Sequence, residues 1–191
     1  MAQAKRKSSN GGNGSKTRNT GETGRSRTAG REDAIALLKA DHREVEGYFE
    51  EFEKARSADR KRDLAQRICG ALTVHATIEE EIYYPAFLEA TDEEDLHHEA
   101  VVEHEGAKRL IAEIEASGPD DDYFDAKVTV LSEMIKHHVK EEEQPDGLFA
   151  KSRQSEMDLD ALGEQLASRK AELMQGKPAK AGTGRGASLG R

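Results

Sequence analysis

Four of the chain's seven histidines, His42, His75, His104 and His138, interrupt runs that are otherwise apolar at helical spacing. Two of them are followed four residues later by a glutamate, Glu79 after His75 and Glu142 after His138. Residues i and i+4 share one helix face. Two His-x-x-x-Glu pairs and two single histidines therefore point inward. Burying such groups without partners costs about 1–3 kcal/mol for each imidazole and more for each carboxylate. A shared cation removes that cost, because neutral imidazole and carboxylate are good donors to iron, manganese or zinc. One inward histidine alone reads as a hydrogen-bonded core residue. Four at matching depth, two with a partnered glutamate, read as a metal site.

The remaining polar candidates read differently. Glu46 follows His42 by four and could add a ligand, although a solvated glutamate is the plainer reading on so charged a helix. His137 is turned about 100° from His138, and His97 lies about 10 Å along the axis from His104. These two and His98 read as surface or boundary residues. Glu80, Glu81, Glu141 and Glu143 read as solvated faces, any one of which could support a ligand from behind. Tyr83, one turn beyond Glu79, reads as a packing residue with a hydroxyl near the site. The single cysteine, Cys69, lies beside an inner stripe with no sign of activation.

Four helices are needed to position this set. The first is predicted over 31–55, with the inner stripe Ile35, Leu38, His42, Val45, Phe49 and Phe52. The second, over 60–90, carries Leu64, Ile68, Ala71, His75, Ile78, Ile82 and Ala86, with Pro85 expected to kink its last turns. Thr91 to Glu94 reads as a capping box for the third helix, which carries Ala100, His104, Ala107, Ile111 and Ile114 to about Ser117. Gly118-Pro119 ends it, and Asp120 to Asp122 can cap the fourth. That helix runs over 123–144, or on to 152, with Phe124, Val128, Leu131, Ile135, His138 and Glu142 inside. A weaker amphipathic segment, 156–174, could pack outside the others. Short connections imply antiparallel neighbours, hence an all-α, up-down-up-down four-helix bundle.

Composition sets the frame. Charged residues equal hydrophobic ones at 35%, too few core formers for the whole chain to fold. Residues 1–31 carry a net charge of +7 and 175–191 a net +4, whereas 32–174 carry −20 of the overall −9. Both ends are Gly-rich and lack apolar periodicity. The expected organisation is a disordered basic tail over 1–30, the bundle over 31–153, an additional helix over 154–174 and a second basic tail over 175–191. The tails read as solubilising ends, or as weak, non-specific contacts to nucleic acid. No aromatics are interleaved with their charges, so base stacking is unsupported. One cysteine excludes an intrachain disulfide framework. No apolar run is long enough to span a membrane and no apolar leader opens the chain, so a soluble, cytoplasmic protein with no membrane partner is expected.

The order His … His-x-x-x-Glu … His … His-x-x-x-Glu resembles the hemerythrin-like family, also called HHE cation-binding domains. It is carried by Asp41-His42, His75 to Glu81, Glu103-His104 and His137 to Glu143, within about residues 32–152. The resemblance implies a non-haem di-iron centre, with zinc or manganese as substitutes. Glu79 and Glu142 would bridge the metals, and His42, His75, His104 and His138 would be terminal ligands. It further implies binding or sensing of oxygen, nitric oxide or peroxide, or handling of iron under oxidative stress. An enzyme acting on peroxide or nitric oxide is the alternative, and a structural metal bundle working through its tails a third. The dedicated oxygen carriers have a second histidine where this chain has Lys108, and an aspartate five residues after the last histidine where this chain has Glu142 at four. One nitrogen ligand is thus absent, which favours reactivity or sensing over reversible oxygen carriage.

Overall fold

The computed structural model describes residues 33–176. The expected tails, 1–30 and most of 175–191, lie outside the described residues, as does Arg31. The described chain folds into α1 (Ala34–Lys54), α2 (Ala58–Ile78), a π-helical turn (Glu79–Tyr83), α3 (Tyr84–Ala90), α4 (Glu94–Ala116), α5 (Phe124–Glu143), α6 (Leu148–Gln154) and α7 (Leu159–Gln175). There is no strand among the described residues. The four long helices α1, α2, α4 and α5 close an up-down-up-down bundle, each packed on two others. α7 lies across α1, α2 and the π-turn.

Helix starts follow local capping chemistry. Asp33 accepts from the Ala36 amide at 2.7 Å, Ser57 from Arg60 at 3.3 Å and Asp158 from Ala161 at 3.0 Å. Each such cap is worth about 1 kcal/mol. The capping box expected at Thr91 does not form. Glu93 stands at the N-cap of α4 without a side-chain capping bond, and the Thr91 hydroxyl instead donates back to the Phe87 carbonyl at 2.8 Å, closing α3.

The expected second helix, over 60–90 with its last turns kinked by Pro85, spans 58–90 with a π-helical turn inside it. At Glu79–Tyr83 the turn widens, and the Tyr84 amide donates to the carbonyl of Glu79, five residues back. Pro85 follows directly. It has no N–H to give, and its ring would press on the carbonyl four residues upstream in a regular helix, so a wider turn ahead of it relieves the clash. The inserted residue rotates the inner face by one position. Tyr83, Tyr84 and Phe87 become buried, while Ile82 and Ala86 move to the margin.

Two apolar clusters fill the bundle. One joins Val45, Phe49, Phe52, Leu64, Ile68, Ile111 and Leu131. The other joins Ile35, Leu38, Ile78, Tyr83, Phe87, Phe149 and Leu166. His42, His75, His104, His138, Glu79 and Glu142 are all buried and belong to neither cluster.

Candidate metal centre

Each half of the polar layer is built alike. His42 on α1 and His75 on α2 bring their Nε2 atoms to 3.1 Å, and His104 on α4 and His138 on α5 bring theirs to 3.2 Å. The glutamates stand between the pairs. Glu79 Oε2 is 3.2 Å from His75 Nε2 and 3.5 Å from His104 Nε2. Glu142 Oε2 is 3.4 Å from His42 Nε2 and 3.6 Å from His138 Nε2. The donor atoms of His42, His75, Glu79 and Glu142 lie within 4.8 Å of one another, as do those of Glu79, His104 and His138. All six residues singled out from the sequence are thus brought together. Glu46 is not among them: it is exposed and pairs with Arg43 at 3.1 Å.

Behind each imidazole stands a carboxylate. His42 Nδ1 meets Glu143 at 2.9 Å, His104 Nδ1 meets Glu80 at 2.9 Å, and His138 Nδ1 meets Glu103 at 2.7 Å. His75 Nδ1 faces Asp41 more loosely, at 3.5 Å. A carboxylate at Nδ1 holds the proton on that nitrogen and leaves the Nε2 lone pair free for a cation. These four acids are the immediate sequence neighbours of Glu142, Glu79, His104 and His42, and each supports a ligand on another helix. Each is itself held by a base. Glu143 receives Arg43 at 2.6 Å and Lys39 at 3.1 Å, Glu80 receives Lys108 at 2.7 Å, Glu103 faces His137 at 3.3 Å, and Asp41 receives Lys170 from α7.

Lys108, in the place where the oxygen carriers have a histidine, turns to Glu80 and Glu105. With that imidazole absent, the two halves carry equal sets of two nitrogens.

Electrostatics divide the two inner carboxyls. Burial, reinforced by the neighbouring Glu142, raises Glu79 well above the usual carboxylate range. Burial acts on Glu142 too, but His138 and His42 outweigh it and hold its carboxyl at about 2. His138 rises despite burial, because Glu142 and Glu103 face it. His104 is pushed down to about 4 by burial and by His138, and His75 is lowered by burial. Glu79 Oε1, Glu79 Oε2 and Glu142 Oε2 are buried with no hydrogen-bond partner. Buried polar atoms are almost always satisfied, and three orphaned carboxylate oxygens facing four Nε2 atoms are what a cation pair would complete. The residues fit the group.

Sequence reasoning missed Asp41 and Glu103 as supports of His75 and His138, and two further contributors. Tyr84, not Tyr83, reaches the layer: its hydroxyl donates to Glu142 Oε1 at 3.2 Å and lies 3.4 Å from His104 Nε2. Tyr83 pairs with Ser152 at 2.7 Å. Pro85 was the available signal, since a wider turn ahead of it brings residue 84 under Glu79. Lys170 had no signal at all, because it lies far along the chain. His97 is half-buried with its ring edge-on to Tyr84, His98 is exposed, and His137 is exposed beside Glu103 and Glu141.

An all-α bundle with a buried His/Glu layer defines a cation-binding class of protein. The family model described as Hemerythrin HHE cation binding domain matches residues 33–146, which takes in α1 through α5 and all six inner donors. The chain belongs to the hemerythrin HHE cation-binding domain family. A DNA nickase from Nostoc sp. (strain PCC 7120 / SAG 25.82 / UTEX 2576) is 30% identical over 120 residues, 61% of this chain and 32% of that protein. The chain therefore spans less than a third of that curated relative. A hemerythrin HHE cation binding domain-containing protein from Mycobacterium kansasii has a similar fold, with a TM-score of 0.59 at 19% identity over 75% of this chain and 88% of that one. No helix among the described residues is long and apolar enough to cross a membrane.

Proposed function

We propose that the polar layer holds a non-haem pair of iron ions and that the protein binds or senses oxygen, nitric oxide or peroxide, or handles iron under oxidative stress. The observation that carries this reading is the pair of equivalent His–His halves joined by two buried carboxylates, three of whose four oxygens lack a hydrogen-bond partner. His42 and His75 would hold one ion, His104 and His138 the other, with Glu79 and Glu142 between them. Iron so bound supplies a redox-active Lewis acid. The protein's own part is to hold the four imidazoles through their Nδ1 atoms, to keep bulk water out of the layer, and to orient Glu142 through Tyr84. The Tyr84 phenol keeps its proton, because burial and the two nearby glutamates oppose its ionisation, so it acts as a donor. Iron analysis with an optical spectrum of protein purified under air tests the reading.

A second reading is turnover of peroxide or nitric oxide. It is favoured by the absent fifth imidazole at Lys108, which leaves each ion four protein ligands. Steady-state peroxide consumption separates it from binding alone. The basic tails would add weak, salt-sensitive contact with nucleic acid. The name of the Nostoc relative adds a further reading, action on DNA, which relaxation of supercoiled plasmid assays directly. The strongly acidic charge of 32–174 argues that any such contact runs through the tails.

A further inference from the structure

The bundle is not filled on the histidine side of the polar layer. A cavity of about 220 Å3 reaches the rings of His42, His75, His104 and His138. Val45, Ala71, Leu72, Ala107, Ile111 and Ile135 line it. Its origin is local: the stripe positions of α2 and α4 next to the histidines hold only Ala71 and Ala107, where the positions beyond hold Ile68 and Ile111. On the solvent side the lining passes to Tyr48, Arg67, Lys170 and the exposed Met174. Lys170 and Met174 come from α7, which lies past the residues matched by the family model.

Size and lining select an occupant. A diatomic gas fills a small part of this space, whereas a dry apolar cavity of about 150 Å3 is enough to take up benzene. Of the charged residues in the lining, Lys170 is paired with Asp41, Lys108 with Glu80 and Glu105, Glu44 accepts from Tyr48, and Arg67 is exposed at the solvent side. The apolar walls beside the histidines therefore offer a further charge no partner, and burying one there would be strongly unfavourable. The polar groups at the inner end are the four imidazoles, three of which are hydrogen-bonded through Nδ1 to the carboxylates behind them. We propose that the cavity is a binding site for a neutral, apolar organic molecule of about one six-membered ring, held against the histidine wall. Its closeness to a metal rests on the function proposed above; its existence as a site does not.

Fluorobenzene, followed by 19F NMR with the full-length protein, is the probe. It binds the metal-free protein, and 4-fluorobenzoate binds at least tenfold more weakly. Ala71→Phe, which fills the space, weakens fluorobenzene at least tenfold. Ile111→Ala, which enlarges the space, raises affinity for 1-fluoronaphthalene at least tenfold over the wild type and keeps the test decisive if Ala71→Phe does not fold. In cobalt-loaded protein the 19F relaxation of bound fluorobenzene is strongly enhanced. No binding at millimolar fluorobenzene, equal binding of the benzoate, or indifference to a folded cavity variant overturns the proposal, and unenhanced relaxation in cobalt-loaded protein overturns the placement against the histidine wall. A protein that takes up no metal yet binds fluorobenzene refutes the metal reading and leaves the cavity site standing.

Discussion

Glu79 and Glu142 have the same spacing from their histidines and opposite electrostatics, and that difference is testable one atom at a time. Glu79 holds its proton well above the usual range, so Glu79→Gln replaces a neutral group by a neutral group of the same shape. Metal-free stability should change by less than about 1 kcal/mol, while uptake of a second metal is lost. Glu142 is ionised against His138 and His42, so Glu142→Gln should destabilise the metal-free protein by about 1–3 kcal/mol in urea titrations. The linkage sign follows from its depressed pKa. Its contribution is present above about pH 4.5 and is lost as pH falls towards about 2, so the variant should lack that acid limb, worth about 3 kcal/mol. Metal must also compete with protons that Glu79 and His138 bind more tightly than usual when metal-free. Uptake should therefore release protons, and affinity should weaken as pH falls. Titration calorimetry in buffers of different ionisation enthalpy reads this directly; a buffer-independent heat would refute it. The six inner donors were legible because each breaks an apolar stripe. The carboxylates behind them were hardly legible. Glu80 and Glu143 read, like Glu81 and Glu141, as solvated faces any one of which could support a ligand, and Asp41 and Glu103 carried no signal. Which histidine each serves depends on how neighbouring helices face one another.

Among the elements, the helices with long apolar stripes were readable, because burial repeats every three to four residues along them. What escaped was phase. The π-turn at Glu79–Tyr83 moves the inner face of α3 by one residue, and no periodicity count through Ile82 and Ala86 detects it, since both remain apolar and partly buried. The break after α5 is set by close approach. A Cβ on Gly147 would meet the carbonyl oxygens of Glu141 at 2.0 Å and Glu142 at 2.7 Å. Only glycine lets α6 fold back on the end of α5, and α6 brings Phe149 to stack on His42 at 5.8 Å between ring centres. Gly147→Ala should therefore destabilise the protein by about 1–3 kcal/mol and loosen metal retention through Glu142, measured by chelator challenge. Unchanged stability and retention would show that the turn tolerates a side chain.

Across the whole molecule, an acidic bundle with a buried His/Glu layer is joined to two basic segments, 1–31 and 175–191, whose sequence has no apolar periodicity. Deleting residues 1–30 should leave helicity per folded residue and metal content unchanged, and should abolish any low-salt binding to DNA. Loss of metal on deletion would mean that the segment contributes to the site. The central claim, that His42, His75, His104, His138, Glu79 and Glu142 form one two-metal centre, is tested most directly by quantitative metal analysis of full-length protein from iron-replete growth, purified under air, together with its optical spectrum. The account predicts about two irons per chain with near-ultraviolet bands of a bridged ferric pair. A stoichiometry near one, or zinc alone after iron-rich growth, would contradict it.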